Sequence, residues 1–451
     1  MRRIAKALAV TVALTGAGKL LVAQPAPEHV DLRTALQRAL AQHPLVEAAR
    51  ARVRATQGAG LTAQLPLNPV ITYEVENARF PGGAPVPGLD RETSLYATLP
   101  LEPLFQRWPS ARRAGAEVQA AEAELALARR DVALAVARAF YRLATAQGTA
   151  EGAEEVRDRL ADLAAYNHAR VAEGVTAEGD LIRIQVELDR AEAGLALERV
   201  EQARARAELA AHLGPSPAEG GGPGLPMIES LRITVEPGLM ADTVLPPLEV
   251  VLARAREVRP DLVASRERVA AERAGATLQR TAIIRQVGAT FGVKRVGGTN
   301  TMIAGLSLPI PLFDQNVGEI RRAGGQRAAA EQELAWTERQ VLAQVSGAYA
   351  AAQLLTEQVR RLDRTFLSRA EESRAIALAA YQEGAASLLQ VLDASRALAE
   401  ARVTYYRVLF AQRESLLELR IMAGTELLEA ITGPVAGSVT GGWTFADGEP
   451  R

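Results

Sequence analysis

Residues 103–114 read PLFQRWPSARRA, and residues 311–323 read PLFDQNVGEIRRA. Both open on Pro-Leu-Phe and close on Arg-Arg-Ala, with one extra residue in the later copy. Other pairs keep the same order at nearly the same offset. Leu36, Ala39 and Pro44 in LQRALAQHPLVEAA correspond to Leu252, Ala255 and Pro260 in LARAREVRPDLVAS; Glu173-Gly174 corresponds to Glu383-Gly384, and Leu213-Gly214 to Ala423-Gly424. A constant spacing between ordered matches is the mark of an internal repeat, so the chain reads as one structural unit written twice.

The long stretch after each copy of the motif sets the helical part. Proline breaks a helix interior, and all 23 prolines avoid residues 110–214 and 312–433. Both windows are rich in Ala, Leu, Glu and Arg at three- and four-residue spacings, so they predict long helices packed side by side. The breaks RVAEGVTAEGD (170–180) and YQEGAASLLQ (381–390) carry glycines suited to a turn, which makes each window an antiparallel hairpin. A 59-residue outbound helix from Ser110 to His168 would reach ~90 Å, too long for a compact domain.

A pair of alternating segments precedes each copy. Ile71, Tyr73 and Val75 oppose Thr72, Glu74 and Glu76; Leu95, Ala97 and Leu99 oppose Ser94, Tyr96 and Thr98. In the second half Ala289, Phe291 and Val293 oppose Thr290, Gly292 and Lys294, while Met302, Ala304 and Leu306 oppose Ile303, Gly305 and Ser307. Such segments suit either a transmembrane barrel wall or a soluble sheet over a core. In a membrane, four strands are too few to enclose a lumen and leave open edges, so several copies would have to share one barrel.

Composition narrows the rest. The 52 basic and 53 acidic residues nearly cancel, giving no reason to expect nucleic acid as a partner. With no cysteine, disulfides, thiolate metal sites and a lipid on cysteine are excluded. The four histidines stand apart in sequence, and no phosphate loop or nucleophile elbow appears, so neither an enzyme nor a cofactor is expected. MRRIAK followed by ALAVTVALTGAG reads as an export signal, residues 1–23, and no other stretch is apolar for long enough to cross a bilayer as a helix.

The repeated LQRALAQHPLVEAA, the strand pairs, PLFDQNVGEIRRA and the breaks AEGVTAEGDL and QEGAASLLQVLDASRA together resemble the TolC-like outer-membrane efflux proteins over nearly the whole chain. The resemblance implies a mainly α protomer with a small β part. Two structural repeats, 24–213 and 248–424, would be joined by a linker over 214–247 and followed by a tail over 425–451. Strands at about 69–79, 91–101, 285–296 and 300–310 and hairpins at about 110–213 and 317–424 would assemble in a homotrimer as a twelve-strand barrel over a twelve-helix tunnel. It implies an outer-membrane exit duct whose tunnel lies in the periplasm, fed by an inner-membrane pump through a periplasmic adaptor, with outer-membrane lipid around the barrel. It also implies an acidic constriction at the hairpin tips, for which Asp393, Asp180 and Gln390 are the candidates, Gln390 standing where an acid is common. Arg112, Arg113, Arg321 and Arg322 are candidates for the lumen or for lipid headgroups, and Phe105, Trp108 and Phe313 for the membrane's inner edge. The alternative is a non-conducting periplasmic coiled-coil scaffold or adaptor, which has no need of the four strands.

Overall fold

The computed structural model describes residues 28–78, 90–214, 233–235, 245–284, 287–362 and 365–424. The expected leader, the tail and most of the 214–247 linker lie outside the described residues. The first half runs β1 (Glu28–Val30), α1 (Leu32–Gln42), α2 (Pro44–Gln64), β2 (Val70–Glu76), β3 (Glu92–Pro100), α3 (Pro103–Ala172) and α4 (Glu178–Leu213). After β4 (Ile233–Val235) the second half repeats the plan with α5 (Leu248–Val258), α6 (Pro260–Thr281), β5 (Gly288–Val296), β6 (Thr299–Ser307), α7 (Val317–Leu362), α8 (Thr365–Gln382) and α9 (Leu388–Met422).

The repeat is visible in the caps. Pro44 and Pro260 occupy the first turn of α2 and α6, where the missing N–H costs nothing. At the far end Gly174 and Gly384 take positive φ of 74° and 76°. Val175 N–H donates to the Arg170 carbonyl and Gly174 N–H to that of Val171; Ala385 and Gly384 repeat this onto Ala380 and Tyr381. Both hairpins therefore stop in the same Schellman turn, which a residue with a Cβ would strain.

The opening motif folds differently in its two copies. α3 already begins at Pro103 and carries Pro109 inside it, seven residues ahead of the start expected at Ser110. Pro103 sits in the first turn, and Pro109 removes only the bond that would reach the Phe105 carbonyl. In the second copy, residues 311–316 are not helical: Asp314 accepts from the Asn316 N–H at 2.9 Å, Asn316 holds φ 60°, and α7 starts at Val317. The extra residue is absorbed in that turn.

The elements lie in a layer four wide. The strands order β2-β3-β5-β6, all antiparallel, so the two hairpins join through β3 and β5. Helices follow the same order: α2, α3, α6 and α7 pack side by side beneath the sheet, and further down α4, α3, α9 and then α7 and α8 do so. Burial concentrates at the waist and the tips. Phe140, Leu143, Leu209, Leu213 and Leu417 fill one waist core, and Val251, Leu262, Val345, Leu416 and Leu419 the other. The parallel pairing of β1 with β4, unforeseen from sequence, seals the first: Val30 and Val235 are buried, and the Gln147 side chain accepts the Val235 N–H at 3.0 Å.

Candidate functional site: the two faces of the layer and its tips

The register puts Ile71, Ala97, Phe291 and Ala304 in one row and Tyr73, Leu95, Val293 and Met302 in the next, all on one face. Most of the large members are exposed, Phe291 by 64%, Met302 by 70% and Ile71 by 73%. The opposite face carries Glu74, Ser94, Lys294 and Thr301 in a row, with Glu76 and Glu92 in the next. Lys294 pairs with Glu92 and lies 3.7 Å from Glu76. The sheet is thus apolar on one side, charged on the other, and unpaired at β2 and β6.

Beneath it, one hollow of about 740 Å³ touches all four helices α2, α3, α6 and α7. Its floor is alanine, including Ala120, Ala271 and Ala330, and its charges are Glu117, Glu124, Glu272 and Glu333 against Arg268. A hollow shared by four neighbouring helices marks the concave side of the layer. These carboxylates were not singled out from sequence, where each is one Glu among many; only the seven-residue spacing of Glu117 and Glu124 hints at a shared face.

The paired arginines part company here. Arg113 lies along the concave side, bonding Glu117 at 2.9 Å and resting 3.6 Å from where a Cβ on Gly275 would stand. Arg322 repeats this, bonding Glu319 at 2.8 Å and Gln326 of the same hollow at 3.4 Å. Arg112 turns to the other side of α3, its guanidinium 5.2 Å from the Trp108 ring centre, and Arg321 is exposed. Adjacent helix residues sit about 100° apart, so each Arg-Arg pair straddles the wall.

At the tips Leu163, Ile184, Tyr381, Leu388 and Val391 form a third core. Tyr381 donates to the Asn167 side chain at 2.5 Å, and Arg170 lies over the Tyr166 and Tyr381 rings. The two candidate acids stand outside this core and are not repeat partners. Asp180, in the first turn of α4, lies 3.5 Å from Arg183. Asp393, one turn further along α9 and 61% exposed at its side chain, lies 3.4 Å from Arg396. The position matching Asp180 is Gln390, whose amide oxygen accepts the Ser387 N–H at 3.0 Å and completes a capping box. Arg396 also bonds Glu187 of α4 at 2.6 Å, tying one hairpin to the other, and that hydrogen bond holds the mostly buried Glu187 below the usual carboxylate range.

A paired-repeat duct protomer should match a duct family twice, and it does. The family described as outer membrane efflux protein matches residues 35–215 and 251–425. The chain belongs to the outer membrane efflux protein family. Over 392 residues it is 27% identical to the cobalt-zinc-cadmium resistance protein CzcC of Cupriavidus metallidurans, covering 84% of this chain and 86% of that one. It is 29% identical over 308 residues to the nickel and cobalt resistance protein CnrC of the same organism, 66% of this chain and 68% of that one. The solved Campylobacter jejuni CmeC outer membrane channel superposes with a TM-score of 0.73 at 14% identity, over 87% of this chain and 85% of that one, a likeness of fold. This outer membrane efflux protein is an efflux duct.

Proposed function

We propose that three copies of this outer membrane efflux protein close into one channel, receiving cargo from an inner-membrane pump through a periplasmic adaptor and releasing it outside the cell. The observation that carries this reading is the pair of unmatched edges at every level of the layer: β2, α2 and α4 on one side, β6, α7 and α8 on the other. Exposed Leu61, Ile182, Val186 and Leu197 lie on the first edge, and Trp336, Leu354 and Ile376 on the second. An edge of one kind meeting an edge of the other is a head-to-tail contact, which closes into a ring. Three copies of the four-stranded sheet give a barrel of twelve strands, its apolar face toward lipid and its charged face toward water.

With the concave side inward, Glu117, Glu124, Glu272 and Glu333 repeat around the tunnel; Arg113 and Arg268 pair with the first two, so Glu272 and Glu333 are the carboxylates that favour a cation. The names of the two metal-resistance relatives support divalent metal cations as cargo. Asp180, half-buried, and Asp393, exposed, form the periplasmic gate, each shared with an arginine one turn along its own helix, while Gln390 serves as a cap. Surface pairs of this kind are worth under about 1 kcal/mol, so they leave the acids available to a passing cation. In planar-bilayer recordings Asp393→Ala should raise leak or weaken block by divalent cations; conductance and block both equal to wild type would remove Asp393 from the gate.

A further inference from the structure

On the convex side, where Arg112 points, a second hollow of about 270 Å³ lies between α3 and α6. Trp108, Arg112, Arg273 and Thr277 line it, with Pro109 and two alanines completing the wall and no carboxylate among them. Ala270, Arg273, Ala274 and Thr277 recur at three- and four-residue steps on one face of α6. Arg268, Ala271 and Glu272, which line the acidic hollow, occupy the other face. One pair of helices therefore presents acid on its concave side and base on its convex side. Arg273 bonds Glu331 of α7 through Nε and Nη2, at 3.3 and 3.0 Å, which leaves Nη1 open. The Arg112 guanidinium rests on Trp108, a ring that is itself 66% exposed.

The height of this hollow matters as much as its charge. Arg112 is nine residues into α3, about 14 Å along the axis, and helical side chains lean back toward the N-terminus, so its guanidinium stands about 7 Å below the sheet. The headgroup layer outside a bilayer's hydrocarbon core is about 5–7 Å deep. An exposed tryptophan stacked under arginine at that depth is an interfacial arrangement.

The geometry points to a site for the phosphodiester of a membrane glycerophospholipid, held between Arg112 and Arg273 with the glycerol end against Trp108. The site rests on the reading that the sheet spans a membrane, and it assigns the outward arginine of the first motif a ligand. In the second motif Val317 stands where Trp108 does, so Arg321 has no indole at the equivalent position.

Native mass spectrometry of the detergent-solubilised full chain with dioleoyl-phosphatidylglycerol tests this. Wild type should retain bound lipid, R112Q should retain about fivefold less, and R112K should recover most of it. Arg113→Gln, on the concave side, should bind as wild type does. Equal retention by R112Q, an equal loss in R113Q, or displacement of the lipid by millimolar inorganic phosphate would overturn the site. Protein that never enters membranes would instead refute the duct, whereas inserted, conducting R112Q with normal lipid retention would refute this site alone.

Discussion

The two repeats meet the waist at equivalent junctions built from different chemistry. In the second, Arg259 is fully buried before α6; it bonds Asp261 on both oxygens, the Gln344 side chain at 2.8 Å and Met422 Sδ at 3.5 Å, and Arg130 of α3 holds the same Asp261 at 3.0 Å. In the first, the same position is His43, stacked on His212 in the last turn of α4 with ring nitrogens 3.5 Å apart, and the place of Asp261 is taken by exposed Leu45. Gly424 completes the tight junction with Val258 against it, while its counterpart Gly214 faces open space. One repeat is locked by permanent charge and close packing. The other is held by a titratable pair.

The largest expected effect comes from removing the lock. Arg259→Ala empties a fully buried site and leaves the half-buried Asp261 with Arg130 alone, and should cost roughly 3 kcal/mol of stability in unfolding of the solubilised protein. His43→Ala removes a weak cap and a stack and should cost about 1 kcal/mol. Equal losses would dissolve the distinction. Next comes the glycine pair: an alanine at Gly424 would put its Cβ 2.1 Å from Val258 Cγ2 at φ 81°, whereas at Gly214 it meets only the strain of φ 70°. Gly214→Ala should cost about 1–2 kcal/mol and Gly424→Ala clearly more; the reverse order in paired melts would show that the second junction is not the tighter one.

The smallest effect is in pH. Burial, then the neighbouring His212, push His43 below its ordinary value of 6.5. Its Nδ1 accepts the Leu45 N–H at 3.3 Å, a bond that a protonated ring cannot make. The neutral form is favoured by folding, so its contribution is complete above 6.5 and declines as pH falls through the lower folded value. Burial alone would raise Asp261, but the hydrogen bond and charge of Arg259, with Arg130, outweigh it and hold the carboxyl below 3.8, so its contribution persists until pH falls beneath that value. Amide exchange between about pH 6.5 and 4, corrected for its intrinsic pH dependence, should therefore quicken at Leu45 and stay flat at Leu262. Parallel change at both amides would contradict the assignment.

Much of the architecture was legible because it rests on periodicity. The apolar and polar faces of all four strands, the two hairpins and their glycine turns follow from alternation and from proline placement, which act locally. The waist was not legible: His43 and His212 stand 169 residues apart, and the β1–β4 pairing joins segments whose composition marks neither as a strand. The start of α3 was misplaced because Pro109 reads as a breaker, although near a helix end it costs one bond. For the candidate site, Asp180 and Asp393 were named from the resemblance of the two tips to the family rather than from the residues alone. That Gln390 is engaged as a cap, and that each Arg-Arg pair splits between the two faces, depends on helix phase and capping geometry that spacing alone does not supply.

The claim on which the rest depends is that the open edges close on other copies of the chain. The most direct test is the native mass of the particle extracted from outer membranes by mild detergent. It should be three times that of the chain released on denaturation; one copy, or any stable number other than three, would contradict the account.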